Sequence, residues 1–301
     1  MSRFIQTLLD GLANGAIYAS LALALVLVHR ATHIPNFAQG ELAMVAAYLS
    51  WEADTRLDEI ITITWLRWLV AFFIAMAISF VIGFLIERLI IRWVEDASPL
   101  TLLIVTLGLL SVFNNGAGWY WTFLPKSMTS PFPTKPIRIG DLIISWQTIG
   151  IVLVLIGLMA AVFALFNFTK LGLGLRGAAG NPASARLVGI NVGLMLAIGW
   201  GLAAAVGSAA GVMVGPRLGL QPNMMATTML FAFAGAVLGG FDSPPGAVFG
   251  GLLVGLMLAF TGTYWQPHGN QLNLVLAFVL IAVVLLIKPN GLFGKAEVSR
   301  V

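Results

Sequence analysis

The chain alternates long apolar stretches with short polar connections. Seven runs hold no Asp, Glu, Lys or Arg, and each is long enough for one helix of about 20 residues across a bilayer core of about 30 Å. Apolar residues follow one another within these runs instead of alternating, which favours membrane helices over a β-barrel. The runs are 11–29, 68–86, 97–125, 142–169, 187–216, 218–241 and 243–287.

This pattern predicts an all-α polytopic membrane protein with eight to nine transmembrane helices. Residues 1–301 form a single transmembrane domain, with a polar loop at 170–193 and a short tail at 288–301. Nine spans fit the hydrophobicity best, near 5–28, 37–51, 66–92, 99–118, 143–168, 194–215, 223–240, 246–262 and 271–288.

Composition agrees and excludes several functions. Hydrophobic residues make up 59% of the chain and charged residues 9%, against roughly 25% charged in soluble domains. The chain has no cysteine, so disulfides and thiolate chemistry are excluded, and its three histidines lack a metal-ligand spacing. It contains no P-loop and no hydrolase motif, so we expect neither bound ATP nor an enzyme. The small net charge of +4 does not indicate a nucleic-acid partner.

Lys and Arg are slightly more frequent on the connections that include loop 170–193 and the tail. The connection at 52–59 is acidic, so we place it outside and place loop 170–193 and the tail in the cytoplasm. The N-terminus then lies outside, unless 37–51 is a re-entrant hairpin, which would put it inside. Residues 1–30 read as a membrane helix and not as a cleaved signal peptide, because no small-residue cleavage site follows the apolar stretch.

Two Pro-Asn pairs interrupt the apolar pattern. Pro35-Asn36 and Pro222-Asn223 each stand between two predicted spans, five spans apart. An odd offset makes the two copies run in opposite directions, which predicts an inverted internal repeat with a substrate path at its broken helices. A helix over 37–51 is only about 22 Å long, short for the bilayer core, so extended chain must cover the rest.

Glu41 then lies near a helix start inside the membrane. An intramembrane carboxylate is costly and suggests function, but Glu41 could instead pair with Arg30 or cap the helix dipole. Asn36 and Gln39 could line a pore or satisfy backbone groups freed by the break.

A third break falls at 238–247, where Asp242 and Ser243 suit a helix cap or a substrate contact. The candidate pathway residues are Asn36, Gln39, Glu41, Asn223 and Asp242. The candidate helix breaks are Pro35, Gly40, Pro222, Gly239, Gly240 and Pro245.

Loop 170–193 contains a helix start and a helix stop. Asn181 suits an N-cap, Pro182 suits the first helical position, and Gly189 suits a left-handed stop. The intervening helix of about two turns is too short to span, and it carries Arg186 outward. It is either a docking element for a partner or an ordinary surface helix.

Several short motifs together carry a family resemblance. The chain resembles the permease subunits of high-affinity branched-chain amino acid ABC importers of the LivH type, over nearly its whole length. The motifs are Gly11-Leu12 with 14–18; 36–41; Arg176, Asn181-Pro182, Ala185 and Gly189-Ile190; 237–240 with 245–247 and Gly250-Gly251; and 288–294.

The resemblance implies one half of a heterodimeric channel in the bacterial inner membrane. Two cytosolic ATPases carrying ATP and Mg²⁺ would drive it by alternating access, and a periplasmic binding protein would deliver branched-chain or related hydrophobic amino acids. This chain would bind no cofactor or metal itself. Gly177 and Gly180 depart from the family pattern and should loosen the segment before the short helix. The implied ATPase-coupling residues are Arg176, Asn181, Pro182, Ala185, Arg186 and Gly189.

Other functions remain open at this point. The same machinery could import urea, short amides or another small solute, since the binding protein does most of the selecting in this family. A stand-alone secondary transporter would need several ionisable residues inside its spans, whereas only Glu41 and possibly Asp242 are available.

Overall fold

The computed structural model describes residues 2–32, 35–95, 97–265 and 269–294, and within these ranges it is almost entirely helical. One two-stranded hairpin, β1 (Ile137–Ile139) and β2 (Leu142–Ile144), stands between the fourth and fifth helices. The helices are α1 (Ser2–Thr32), α2 (Gln39–Arg56), α3 (Thr64–Leu89), α4 (Pro99–Tyr120), α5 (Trp146–Phe168), α6 (Lys170–Gly180), α7 (Pro182–Leu187), α8 (Val192–Leu218), α9 (Ala226–Gly239), α10 (Pro244–Tyr264) and α11 (Gly269–Ile287).

The all-α polytopic architecture is confirmed. Six helices are long and apolar enough to cross a membrane, namely α1, α3, α4, α5, α8 and α10. Shorter apolar helices lie at Ala226–Gly239 and Leu272–Ile287. The count of nine spans, the orientation and the inverted direction of the repeat stay predictions. Part of the predicted tail, from residue 295 onward, lies outside the described residues.

The second span extends further than the sequence predicted. Helix α2 continues to Arg56, so the acidic segment from residue 52 forms its last turns instead of a loop. Arg67 Nε donates to Asp54 Oδ1 at 2.8 Å and the Arg67 guanidinium also pairs with Asp58, which neutralises acids at this helix end. With 18 residues the helix is roughly 27 Å long, which is longer than the predicted 22 Å and close to the thickness of the bilayer core.

The fifth span begins later than predicted. Residues 142–144 belong to β2, which pairs with β1 through Ile137 and Ile144, and Ser145 then caps α5. The side chain of Gln6 on α1 fixes the hairpin, because it both donates to the carbonyl and accepts from the amide of Ile143 at 3.0 Å.

Helices α1 and α8 form the centre of the molecule and are buried along most of their length. Glycine pairs allow close helix contact there. A Cβ on Gly15 would lie 2.9 Å from the backbone of Leu252, and one on Gly255 would overlap the backbone of Gly15. Lipid tails give helices no hydrophobic reason to associate, so close van der Waals contact between small residues supplies the stability.

Candidate functional site

The first break is held by its own polar side chains. Asn36 Oδ1 accepts from the backbone amide of Ala38 at 3.0 Å, and α2 begins at the next residue. Gln39 Nε2 donates to the carbonyl of Ala203 on α8 at 3.0 Å, and both Asn36 and Gln39 are buried. Asn36 thus bonds a backbone group at the break, whereas Gln39 bonds a carbonyl of the neighbouring helix α8. Pro35 directly precedes the turn, where it cannot donate to a helical hydrogen bond.

Glu41 lies in the first turn of α2 and is only 4% exposed. Its Oε2 accepts from Asn114 Nδ2 on α4 at 3.1 Å. Arg30 is not its partner, because the Arg30 guanidinium lies over the Phe166 ring, 5.6 Å from the centroid. The helix start favours the negative charge of Glu41, and Asn114 supplies a hydrogen bond in place of a cation.

The second break is built from backbone turns. Leu220 forms an antiparallel bridge with Lys126 after α8 ends, and Pro222 is buried in the following turn. Asn223 has a positive φ of +69. Among the residues that the structure describes, the other positive φ angles belong to glycines. Asparagine tolerates this left-handed conformation better than most residues. The turn ends where the Ala226 amide donates to the Asn223 carbonyl at 3.0 Å.

The two breaks meet in space. A Cβ on Gly40 would lie 3.1 Å from Met229 Cβ, so the first turns of α2 and α9 are in direct contact. Asn114 joins them, because its Nδ2 donates to Asn223 Oδ1 at 2.8 Å as well as to Glu41. We call this set the break cluster. Its members are Asn36, Gln39, Glu41, Asn114 and Asn223.

Replacing Asn223 with valine is expected to destabilise the protein by about 1–3 kcal/mol, because a β-branched residue is strained at positive φ. Asn223→Gly removes the same side-chain hydrogen bond but accepts the backbone conformation. Thermal unfolding in detergent separates the two effects. Equal stability of the valine and glycine variants would show that the backbone at this break is not constrained.

The third break lies apart from the break cluster. Ser243 caps α10 by accepting from the Gly246 amide at 3.1 Å, so the predicted cap belongs to Ser243 and not to Asp242. Asp242 is about half exposed and lies 3.9 Å from His29 Nδ1. Gly240 has φ +102, Gly239 packs against the backbone of α10, and Pro245 lies in the first turn of that helix.

Loop 170–193 contains two helices instead of one. Helix α6 continues through Gly177 and Gly180, so the predicted loosening before the short helix does not occur. Thr169 caps its start by accepting from the Gly172 amide at 3.0 Å. The inward side chains of Leu175 and Ala178 are buried, which stabilises α6 despite its glycines.

Helix α7 is capped at both ends as its sequence predicts. Asn181 Oδ1 accepts from the Ser184 amide at 2.9 Å, Pro182 occupies the first position, and Gly189 has φ +83. The Ile190 amide donates to the Ala185 carbonyl at 3.0 Å. Asn191 caps α8, so α7 joins α8 through one tight turn.

The structure shows which side of α7 is buried and which is exposed. Ala185 is 4% exposed and packs with Ala178 and Val192, so it holds α7 in place and offers no surface to a partner. Leu187 and Val188 are 88% and 76% exposed. Arg176, Asn181, Pro182 and Arg186 are exposed as well.

Three residues of these sites were missed by the sequence reasoning. Asn114 could have been found, because two adjacent asparagines stand inside an otherwise apolar span. Leu187 and Val188 gave no such signal, because an apolar pair on a short helix reads equally as an inward face. Among the described residues, no group of three His, Cys, Asp or Glu side chains is placed to hold a metal ion.

The family match identifies this arrangement of apolar helices, broken at two touching points, as a membrane transport component. The chain belongs to the family described as the permease component of branched-chain amino acid transport systems, whose pattern matches residues 7–285. This confirms the family resemblance and the interpretation as a transport subunit instead of an enzyme.

Curated relatives span the whole chain. The high-affinity branched-chain amino acid transport system permease protein BraD of Pseudomonas aeruginosa is 30% identical, with 99% of this chain and 98% of that protein covered. The LivH permease protein of Escherichia coli is 29% identical with the same coverage. A probable LivH of Methanocaldococcus jannaschii is 28% identical, covering 94% of this chain and 91% of the relative.

Proposed function

We propose that this chain is one of two homologous membrane subunits of an ATP-driven importer for branched-chain or related hydrophobic amino acids. The observation that carries the proposal is helix α7, exposed at its tip and capped at both ends, attached directly to the central helix α8. Two cytosolic ATPases would hold ATP and Mg²⁺, and a periplasmic protein would deliver the substrate. The bacterial inner membrane is the corresponding location.

Helix α8 supplies a rigid route from α7 to the break cluster. It follows α7 at one end and leads into the second break at the other. Along its middle, the Ala203 carbonyl accepts from Gln39, and Gly211 packs against the backbone of Ala43. A displacement of α7 by an ATPase would therefore act on both breaks together. Alternating access follows if the two breaks change their packing as one unit.

The second break suits an amino-acid carboxylate. The start of α9 receives no side-chain cap, and Asn223, Ala226 and Thr227 are exposed beside it. The positive end of a helix dipole favours a negative group, and transporters use such half-helix ends for substrate carboxylates. In this proposal Asn36, Gln39 and Glu41 stabilise the packing beside the path through their hydrogen bonds. Asp242 lies outside the path.

The docking role of α7 can be tested with the double substitution Leu187→Asp, Val188→Asp. Two carboxylates would have to be desolvated in an apolar contact, so we expect ATPase affinity to fall by about 2 kcal/mol, or roughly thirtyfold. Co-purification with the ATPase subunits and substrate-stimulated ATP hydrolysis in vesicles measure the effect. Leucine uptake compared with urea uptake by the wild-type complex tests the cargo.

The matched control is the double substitution Ile139→Asp, Ile143→Asp, which places the same two charges on apolar side chains that are 60% and 50% exposed in the hairpin. The hairpin precedes α5, which is roughly 34 Å long, whereas α7 follows α5 and α6 in the chain. Normal ATPase association in the α7 variant would contradict the coupling role. Transport without any ATPase would favour a stand-alone carrier.

A further inference from the structure

A groove opens on the surface where α1 and α10 meet α5 and α6. Its volume is about 320 Å³, and its walls are apolar side chains from three helices. Two arginines, Arg30 of α1 and Arg176 of α6, line the same groove. The apolar wall residues include Leu23, Met159, Val162, Phe163 and Val248.

The long axis of the groove follows the end of α5. Lining residues extend from Met159 to Asn167, close to the last residue of the helix. That stretch is roughly 12 Å of helix, comparable to the depth of one leaflet of hydrocarbon, which is about 15 Å. Phe163 is 59% exposed and faces what would be lipid. The groove thus runs from the headgroup level into the acyl region.

The charge at the end of the groove is net positive. Arg176 is exposed, and Arg30 is partly buried with its guanidinium over Phe166. Asp242 interacts electrostatically with Arg30 and offsets part of this charge, but it also approaches His29. Two arginines line the groove and Asp242 does not, so the groove itself can take an anion, and guanidinium forks match phosphate oxygens well.

We propose that this groove binds one anionic phospholipid, with its phosphate between Arg30 and Arg176 and an acyl chain along α5. The assignment to the cytoplasmic leaflet and the effect on coupling rest on the proposed function, whereas lipid binding in the groove does not. Since Arg176 belongs to α6 and Arg30 to α1, the lipid ties the loop that carries α7 to the central helix. Anionic lipid content would therefore alter coupling between ATP hydrolysis and transport.

Native mass spectrometry of the full-length chain, with its co-purifying subunits, from bilayers of equal phosphatidylglycerol and phosphatidylcholine tests the site. We expect one phosphatidylglycerol per chain to be retained in preference to phosphatidylcholine. Arg176→Gln should lower that affinity about fivefold, and Arg30→Gln with Arg176→Gln about twenty-fivefold. If the double variant fails to fold, Arg176→Gln alone still tests the site, because the Arg176 side chain is exposed.

The control Arg138→Gln removes one positive charge from the exposed hairpin, far from the groove. Val162→Trp fills the apolar wall and keeps both arginines, so it should also abolish retention. Equal retention of the two lipids, or no difference between Arg176→Gln and Arg138→Gln, would overturn the proposal. So would unchanged retention in Val162→Trp. Retention by the isolated chain but not by the chain with its co-purifying subunits would also overturn the proposal, because a partner helix would then occupy the groove.

Discussion

Gly255→Val is expected to prevent stable folding of the chain, at a cost above about 3 kcal/mol. Gly11 and Gly15 on α1 face Gly251 and Gly255 on α10, so each helix presents a small residue every four positions. A Cβ on Gly255 would overlap the backbone of Gly15, and no side-chain rotation relieves a clash with backbone. The helices would have to separate, which loses close contact along the most extensive helix pair in the molecule.

Thermal unfolding in detergent and the yield of monodisperse protein measure this effect. The matched control is Gly157→Val on α5, where an added Cβ meets no atom within 4 Å. That variant should stay within about 0.5 kcal/mol of the wild type. If Gly255→Val proved as stable as Gly157→Val, the close approach of α1 and α10 would not exist in the folded protein.

Asn114→Leu is expected to lower transport at least tenfold, because it removes the donor shared by Glu41 and Asn223. A buried carboxylate left without its hydrogen bond costs about 1–3 kcal/mol or more. Both breaks lose their common link to α4 at the same time. Asn114→Asp should be worse, since it replaces a donor with a second negative charge beside Glu41. Substrate uptake by the reconstituted complex is the primary measurement.

The neighbouring asparagine provides the control. Asn115 is exposed and its Nδ2 donates only to the Ser111 carbonyl of its own helix, so Asn115→Leu should leave uptake close to normal. The double variant Glu41→Leu, Asn114→Leu should recover thermal stability without recovering uptake, because both polar partners are removed together. Equal uptake by Asn114→Leu and Asn115→Leu would contradict a role for the break cluster.

The positions of the breaks could be predicted from the sequence, but their partners could not. Proline and asparagine restrict the local backbone wherever they stand, so Pro35-Asn36 and Pro222-Asn223 mark turns without reference to the rest of the chain. Asn114 lies in a third segment, and its contact with both turns depends on how α2, α4 and α9 pack. No local preference encodes that meeting. The assignment of Asn36, Gln39, Glu41, Asn223 and Asp242 to a substrate path remains a prediction.

The loop illustrates the same division on a smaller scale. The caps of α7 followed from Asn181 and Gly189, since each acts through its own backbone. Which side of a two-turn helix faces inward was not encoded there, and only the structure shows that Ala185 lies on the buried side. The sequence likewise missed α6, because its glycines have low helix propensity and its stability comes from packing on α8.

By itself the sequence determined that this chain lies in a membrane, where its helices are interrupted, and which family it belongs to. Those properties depend on local hydrophobicity, backbone restriction and linear motifs, each read within a few residues. Only the tertiary structure decided that the two breaks touch, that Gly15 and Gly255 are in contact, and that Arg30 and Arg176 line the same groove. Contacts between distant segments depend on shape complementarity across the whole bundle, which no short stretch of sequence contains.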